Sequence, residues 1–176
     1  MIINELDQPA QPKIYVDMDG VLADFDKKYR ELFHRDPLPA GSDENVGRLV
    51  GTNFFSQLDK MPNADQVVAL AKKLGRGNWY ICSSPLRGDH ANSKENKIKW
   101  LAKMGYDPND VIITPRKESY AVNRIDGTAN VLIDDKPKNI NRWQDAGGIG
   151  VLYSGYTDKI ADIAQQLRRQ NFGKKL

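Results

Sequence analysis

The chain has 176 residues, of which 40% are hydrophobic and 28% are charged, a balance typical of a single soluble globular domain. No run approaches the ~18 apolar residues of a membrane span, and no signal-peptide pattern opens the sequence. The net charge of +3 is spread along the chain apart from Lys174 and Lys175, which does not favour nucleic-acid binding. Cys82 is the only cysteine, so no internal disulfide can form, as fits a reducing cytoplasm. We expect a loose leader over residues 1–12.

The first predicted element is a short strand that ends in two acidic residues. The apolar run Ile14–Val16 is followed at once by Asp17, Asp19 and Gly20. A buried strand would deliver both carboxylates to the carboxyl edge of a sheet, where open α/β sheets bind ligands. Carboxylates this close repel each other unless a cation lies between them, and Mg²⁺ prefers such hard oxygen ligands. The sequence therefore predicts a magnesium site here.

A helix is predicted directly after this acidic turn, over residues 24–33. The apolar residues of this segment fall on one helical stripe, which consists of Phe25, Tyr29, Leu32 and Phe33. The alternative is a two-residue hairpin turn at Asp19-Gly20, since Asp-Gly between apolar runs is a strong turn signal. The helical period favours strand, acidic turn and helix over the hairpin.

Residues 34–62 interrupt the alternation of strands and helices. They contain Pro37, Pro39 and three glycines, with short apolar patches at Val46–Val50 and Phe54–Leu58. A structureless loop of this length is uncommon inside a compact domain unless it is functional. We interpret residues 26–75 as a small helical cap inserted after the first strand. The alternative is a partly disordered surface insertion.

The rest of the chain alternates strands with helices. Four further apolar runs predict strands: Trp79–Cys82, Val111–Ile113, Val131–Ile133 and Ile149–Tyr153. Three stripes predict helices: Ala64–Leu74, with Asn63 and Gln66 as a capping pair and Gly75 as its end; Ile98, Leu101 and Met104, ended by Gly105; and Ile160, Ile163, Ala164 and Leu167, with Thr157 as N-cap. Alternation of this kind predicts an α/β fold, with a Rossmann-like parallel sheet core flanked by helices, formed by residues 13–25 and 76–176.

Polar residues follow three more of the predicted strands. Ser83 and Ser84 follow the second, Lys117 follows the third, and Asp134 with Asp135 follows the fourth. Each has a simpler explanation, because the serines could shape a turn, the lysine could be solvated, and Asp135 could cap a helix that begins at Pro137. Hydroxyl, lysine and two acidic pairs at successive strand ends would, however, assemble a metal, a nucleophile and a phosphate cradle.

Four segments in this order resemble the motifs of the haloacid dehalogenase-like phosphatases, and in particular the 5'(3')-deoxyribonucleotidases. They are DMDGVLADF at 17–25, ICSSP at 81–85, Lys117, and LIDD at 132–135, and KIKW at 97–100 is similar to a helix of the same branch. The similarity spans residues 13 to 143 or so. The second motif has Ser83 where the branch often has threonine, Arg116 stands closer to Lys117 than the branch places its arginine, and residues 26–75 contain no tryptophan.

The resemblance implies a role for each matching residue. Asp17 would be the nucleophile that forms an aspartyl-phosphate, and Asp19 the general acid and base. Ser83, the Ser84 amide and Lys97 would hold phosphate oxygens, and Lys117 would pair with the phosphoryl group and Asp17.

The same resemblance implies a metal site and a base pocket. Asp17, the main-chain carbonyl of Asp19, and Asp135 with Asp134 would hold Mg²⁺. Cap aromatics would hold the nucleobase, where Phe25 matches by motif, and Phe54 and Phe55 match only by region.

The implied function is a cytoplasmic, Mg²⁺-dependent phosphatase of nucleoside monophosphates, with deoxyribonucleotides as the expected substrates. We expect a small nucleotide substrate, neither a membrane nor a nucleic-acid partner, and we leave a homodimer open. A polynucleotide 3'-phosphatase or a small-metabolite phosphatase on the same core is the alternative, and a non-catalytic binding module is the third reading, since fold alone does not set function.

Overall fold

The computed structural model describes residues 10–39 and 41–173. Most of the predicted leader and the pair Lys174 and Lys175 therefore lie outside the described residues. The elements in chain order are β1 (Ile14–Val16), β2 (Ala23–Asp24), α1 (Phe25–Phe33), α2 (Glu44–Gly47), the cap 3-10 helix (Phe54–Gln57), β3 (Asp59–Lys60), α3 (Ala64–Leu74), β4 (Tyr80–Ser83), α4 (His90–Met104), β5 (Asp110–Ile113), the lysine 3-10 helix (Lys117–Tyr120), β6 (Val131–Asp134), α5 (Pro137–Asp145), β7 (Ile149–Leu152) and α6 (Ile160–Arg169).

Five of the strands form one parallel sheet in the order β5-β4-β1-β6-β7. The strand β1 lies at the centre, where Tyr15 pairs in register with Tyr80 of β4 and with Leu132 of β6. The carboxyl ends of β1, β4, β5 and β6 therefore lie along one edge. The predicted α/β class, with a parallel sheet flanked by helices, is confirmed.

Helices cover both faces of this sheet because its side chains alternate between them. Val16, Ile81 and Ile133 belong to an apolar cluster that includes residues of α3, α4 and α6. On the other face, Tyr15 and Leu132 pack with α5 and form a second cluster. The sheet is thus a fixed frame that holds the polar residues at its carboxyl edge.

The cap lies between β1 and α3 and is fixed to the core by hydrogen bonds. The Trp100 indole Nε1 of α4 donates to the Leu58 carbonyl over 2.8 Å, and Asn92 Nδ2 donates to the Thr52 carbonyl over 2.9 Å. The short ribbon of β2 and β3 joins the cap to the first motif. The helix α3, which the predicted cap included, contacts β1, so the boundary at residue 75 stays a prediction.

Four local predictions differ from the structure. Leu32 of α1 and Ile98 of α4 are exposed. In α4 the inward face carries Lys97, Trp100 and Leu101, and Ile98 lies about 100° of helical rotation from Lys97.

The other two differences concern the predicted N-caps of helices α6 and α3. Lys159, not Thr157, occupies the N-cap position of α6, and the Asn63 side chain makes no capping hydrogen bond to α3.

Candidate active site

Two carboxylates and a buried ammonium group meet at the centre of the carboxyl edge. Lys117 Nζ lies 3.0 Å from Asp17 Oδ1 and 2.6 Å from Asp134 Oδ2, and all three side chains are buried. Burial alone would lower the pKa of Lys117, but the two carboxylates outweigh it and raise that pKa above its ordinary value. Burial likewise works to raise the pKa of Asp17, yet Lys117 and Lys97 hold it below its usual range. Asp17 is therefore ionised at neutral pH.

A second ion pair lies beside the first, between α4 and the turn after β1. Lys97 is fully buried, and its Nζ donates to Asp19 Oδ2 over 2.6 Å and to Ser83 Oγ over 2.9 Å. The structure thus brings Lys97, Asp19 and Ser83 together. The Ser84 hydroxyl, by contrast, makes no hydrogen bond to any residue of the described ranges.

The second acidic pair divides into two different environments. Asp134 is fully buried and paired, since its carboxylate also accepts from the Lys136 N–H over 2.9 Å and from Asn139 Nδ2 over 3.0 Å. Asp135 Oδ1 is buried and has no hydrogen-bond partner among the described residues. Burial, followed by repulsion from Asp17 and Asp134, raises the pKa of Asp135 to about 8. The alternative that Asp135 caps the next helix is wrong, because Lys136 occupies that position.

The acidic groups fit a divalent cation. One carboxylate oxygen from each of Asp17, Asp134 and Asp135 lies within 4.8 Å of the other two. Asp135 also has an oxygen, Oδ1, without a hydrogen-bond partner among the described residues. Gly20 leaves space for it, because a Cβ at that position would lie 2.8 Å from Asp135 Cγ. Gly20 also has a φ of +79°, which L side chains rarely adopt. An all-oxygen donor set of this kind suits Mg²⁺.

Two residues that support the site were not predicted from the sequence. Asn139 holds both oxygens of Asp134, and its position five residues later in α5 gave no separate signal. Tyr156, in the loop after β7, accepts the Asp26 N–H over 3.0 Å and donates to Asp24 Oδ1 over 2.9 Å. This tyrosine therefore connects the last core loop to the start of α1, a contact across 130 residues that no local pattern reveals.

The predicted cap aromatics form one cluster above the site. The ring centroids of Phe25 and Phe54 lie 5.1 Å apart, and those of Phe54 and Phe55 5.6 Å apart. Phe54 and Phe55 are both buried, and Phe25 is half-buried. Phe55 reaches the site itself, because Lys97 Nζ lies 4.2 Å from its ring centroid.

Comparison with known proteins shows similarity of both sequence and fold. No protein-family model matches the chain. The chain is 31% identical over 149 residues to the human mitochondrial 5'(3')-deoxyribonucleotidase, an alignment that covers 71% of this chain and 62% of that protein. The magnesium-bound structure of the HAD-hydrolase YfnB from Bacillus subtilis matches with a TM-score of 0.57 at 14% identity, covering 93% of this chain and 100% of that one. A haloacid dehalogenase-like hydrolase from Streptococcus pneumoniae matches with a TM-score of 0.54 at 10% identity, covering 89% and 90%.

The fold of the chain is similar to that of haloacid dehalogenase-like hydrolases. The resemblance to the 5'(3')-deoxyribonucleotidases, predicted from the four motifs, is confirmed as a sequence similarity. The chain spans less than two thirds of the length of the curated relatives that it matches. Within the described residues, no helix is long and apolar enough to cross a membrane.

Proposed function

We propose that this haloacid dehalogenase-like protein is a Mg²⁺-dependent phosphomonoesterase that removes phosphate from nucleoside monophosphates, deoxyribonucleotides among them. The observation that carries the proposal is the convergence of Asp17, Lys117, Asp135 and the Lys97–Asp19 pair at one sheet edge under an aromatic cap. The similarity to the human deoxyribonucleotidase supports the substrate class.

In this proposal Asp17 is the nucleophile. Its pKa lies below the usual range, so it is ready to attack as a carboxylate. A bond forms between an Asp17 oxygen and phosphorus while the bond to the ester oxygen breaks, which divides hydrolysis into two easier steps. Lys117, Lys97 and the Ser83 hydroxyl offset the charge of the phosphoryl oxygens, which is the main contribution of a protein to phosphoryl transfer.

Asp19 serves as general acid and then as general base. It gives a proton to the departing alkoxide and later takes one from the water that attacks the aspartyl-phosphate, releasing inorganic phosphate and free Asp17. Lys97 Nζ, 2.6 Å from Asp19 Oδ2, stabilises the carboxylate after the proton has left. Ser84 would add its main-chain N–H to the phosphate contacts.

Mg²⁺ would be held by Asp17, the Asp19 carbonyl and Asp135, where it would supply positive charge against the phosphoryl oxygens. We favour Asp135 over Asp134 as the direct ligand, because Asp134 already accepts from Lys117, Lys136 and Asn139 while Asp135 has an unpartnered oxygen. In this division Asp134 fixes Lys117 in place.

The cap over residues 26–75 would select the leaving group and exclude water. Phe55 supports a nucleobase most directly, because it already lies beside Lys97. Phe25 would extend the aromatic surface, and the buried Phe54 would support Phe25 from behind. We also propose a cytoplasmic location, supported by the single cysteine, Cys82, although the curated human relative is mitochondrial. A homodimer stays a prediction.

Turnover of a substrate panel tests the proposal. The panel contains deoxyribonucleoside and ribonucleoside monophosphates, sugar phosphates and 3'-phosphorylated DNA, each with Mg²⁺ and with excess chelator. We expect the nucleoside monophosphates to be hydrolysed fastest and chelator to abolish turnover. Preference for the DNA or for sugar phosphates would move the function to those alternatives, and full activity in chelator would overturn the metal requirement.

A variant pair tests the nucleophile on the preferred substrate. Asp17→Asn keeps the shape but removes the attacking carboxylate, so turnover should fall by about 10³ or more. The exposed Asp36→Asn is the matched control and should retain normal turnover. Near-normal turnover by pure, folded Asp17→Asn protein would exclude the aspartyl-phosphate route. If the wild type hydrolyses no substrate of the panel, the alternative of a non-catalytic binding module remains.

A further inference from the structure

A second recess lies at the opposite edge of the sheet from the candidate active site. This amino-edge cavity has a volume of about 310 Å³, and its lining includes Lys13, Tyr15, Tyr120, Asn123, Arg124 and Asn130. Lys13 immediately precedes β1 and Asn130 immediately precedes β6, which fixes the cavity at the amino ends of these parallel strands. Its volume falls at the lower end of the range of small-molecule pockets.

The charged groups of the amino-edge cavity are all cationic. Lys13 and Arg124 line it, and no carboxylate is among the lining residues. Neither cation forms an ion pair within the described part of the chain; Lys13 Nζ instead lies 5.0 Å from the ring centroid of Tyr80. The Asp126 carboxylate of the neighbouring loop accepts from the Thr128 N–H over 2.8 Å. The ammonium group of Lys13 and the guanidinium group of Arg124 therefore remain available to an anion.

The apolar walls of the cavity are aromatic rings. Tyr15 is 3% exposed, and its hydroxyl makes no hydrogen bond to another described residue. Tyr120 is 37% exposed, and the two ring centroids lie 6.1 Å apart. A flat ring could pack against Tyr120 while the Tyr15 hydroxyl supplies a hydrogen bond, the combination by which tyrosine commonly serves binding sites.

The frame of the cavity is fixed before any ligand enters. Asn130 Oδ1 accepts the Lys13 N–H over 2.9 Å, and Asn130 Nδ2 donates to the Tyr120 carbonyl over 2.9 Å. The buried Asn130 therefore connects the Lys13 side of the cavity to the Tyr120 side. The loop that carries Arg124 is closed by a hydrogen bond from Asn123 N to the Thr128 carbonyl over 2.8 Å. Binding to such a preorganised site costs little ordering of the chain.

We propose that the amino-edge cavity binds a small organic anion that carries a flat ring, held by Lys13 and Arg124 through its charge and by Tyr15 and Tyr120 through its ring. This site is separate from the candidate active site, although both share elements. Tyr15 belongs to β1 and lies two residues before Asp17 in the chain. Tyr120 is the last residue of the 3-10 helix that begins at Lys117.

Titration with phenylphosphonate, followed by ¹⁵N–¹H NMR on the full chain, tests this site. The probe carries a ring and an anion but no hydrolysable ester, and excess chelator weakens binding near the acidic cluster. We expect saturable shifts of the amides of residues 119–124 and 130. Arg124→Gln and Lys13→Gln should each weaken binding by about tenfold, because each removes one charge-assisted contact. The exposed Arg142→Gln on α5 should leave affinity unchanged.

Three outcomes would overturn the inference. The first is the absence of saturable shifts at residues 119–124 at millimolar probe. The second is shifts confined to residues around Asp17, Ser83 and Lys117, which would mean that the probe enters only the candidate active site. The third is equal affinity of wild type, Lys13→Gln and Arg124→Gln. Inorganic phosphate should bind about tenfold more weakly than phenylphosphonate, and equal affinity for the two would refute the aromatic part of the site. All these readouts are independent of turnover.

Discussion

A single added methyl group at Gly20 should disable the candidate metal site while the fold survives. In Gly20→Ala the new Cβ would lie 2.8 Å from Asp135 Cγ, whereas carbon atoms in contact are normally about 3.5–4.0 Å apart. The Asp135 carboxylate must therefore move by about 1 Å. This movement should change the free energy of unfolding little, because the carboxylate is the end of a side chain. The carboxylate then leaves its place beside Asp17.

The expected loss follows from this displacement. A misplacement of about 1 Å can cost on the order of 10² in rate, so kcat/KM for a nucleoside monophosphate should fall about a hundredfold. The Mg²⁺ concentration for half-maximal activity should rise, because Asp135 is the proposed ligand with an unpartnered oxygen. Alanine in a left-handed conformation also costs roughly 1–2 kcal/mol, which thermal melting would register. The assay is therefore a Mg²⁺ titration of initial rates beside a melting curve.

Gly105→Ala is the matched control for this backbone strain. Gly105 has a φ of +74°, and nothing lies within 4 Å of its added Cβ. It should lose a similar amount of stability and keep its kinetics. The reasoning is refuted if Gly20→Ala matches Gly105→Ala in kcat/KM and in Mg²⁺ requirement.

Four other variants test three separate parts of the molecule. Asp19→Asn should lose much more rate on a nucleotide than on p-nitrophenyl phosphate, whose leaving group needs no acid; equal losses would argue against acid catalysis. Phe55→Ala should lower kcat/KM for nucleotides by roughly tenfold to a hundredfold and spare p-nitrophenyl phosphate, whereas Phe54→Ala should mainly lower the melting temperature. Hydrogen bonds from Tyr29 and two backbone N–H groups outweigh burial and keep the pKa of Asp43 below its unfolded value, so its stabilisation should disappear as pH falls below about 4. The melting temperatures of wild type and Asp43→Asn should therefore converge as the pH is lowered. A constant difference between them over the whole pH range would contradict this.

The core of the fold was predictable because its strands are buried on both faces and bounded by polar ends. Ile14–Val16 was predicted with the bounds that the structure has, and the other core strands differ by one residue at one or both ends. Helix faces were less predictable where function competes with burial. In α4 the position that hydrophobicity would turn inward, Ile98, is exposed, because the helix turns Lys97 toward Asp19 instead.

The residues of the candidate site were predictable as types at strand ends, but their pairing was not. Parallel strands must bring their carboxyl ends to one edge, so Asp17, Ser83 and Asp134 were expected to meet. Nothing in the sequence distinguishes Asp134 from its neighbour Asp135, since which of them faces Lys117 depends on strand alternation and on Asn139 in the next helix. Contacts such as that of Tyr156 with Asp24 depend wholly on tertiary structure.

The charge balance of the site explains why these pairings matter. Four carboxylates, Asp17, Asp19, Asp134 and Asp135, lie beside two buried ammonium groups, those of Lys97 and Lys117. If all were ionised, the excess negative charge would repel a phosphomonoester dianion. Burial, followed by repulsion from Asp17 and Asp134, raises the pKa of Asp135 to about 8. Because each ammonium group is already paired with a carboxylate, neither can neutralise the dianion alone. A divalent cation bound by Asp135 and Asp17 would cancel the excess and free Lys117 to face the phosphoryl group. The proposed Mg²⁺ requirement thus rests on which groups are already paired as much as on the presence of acidic residues.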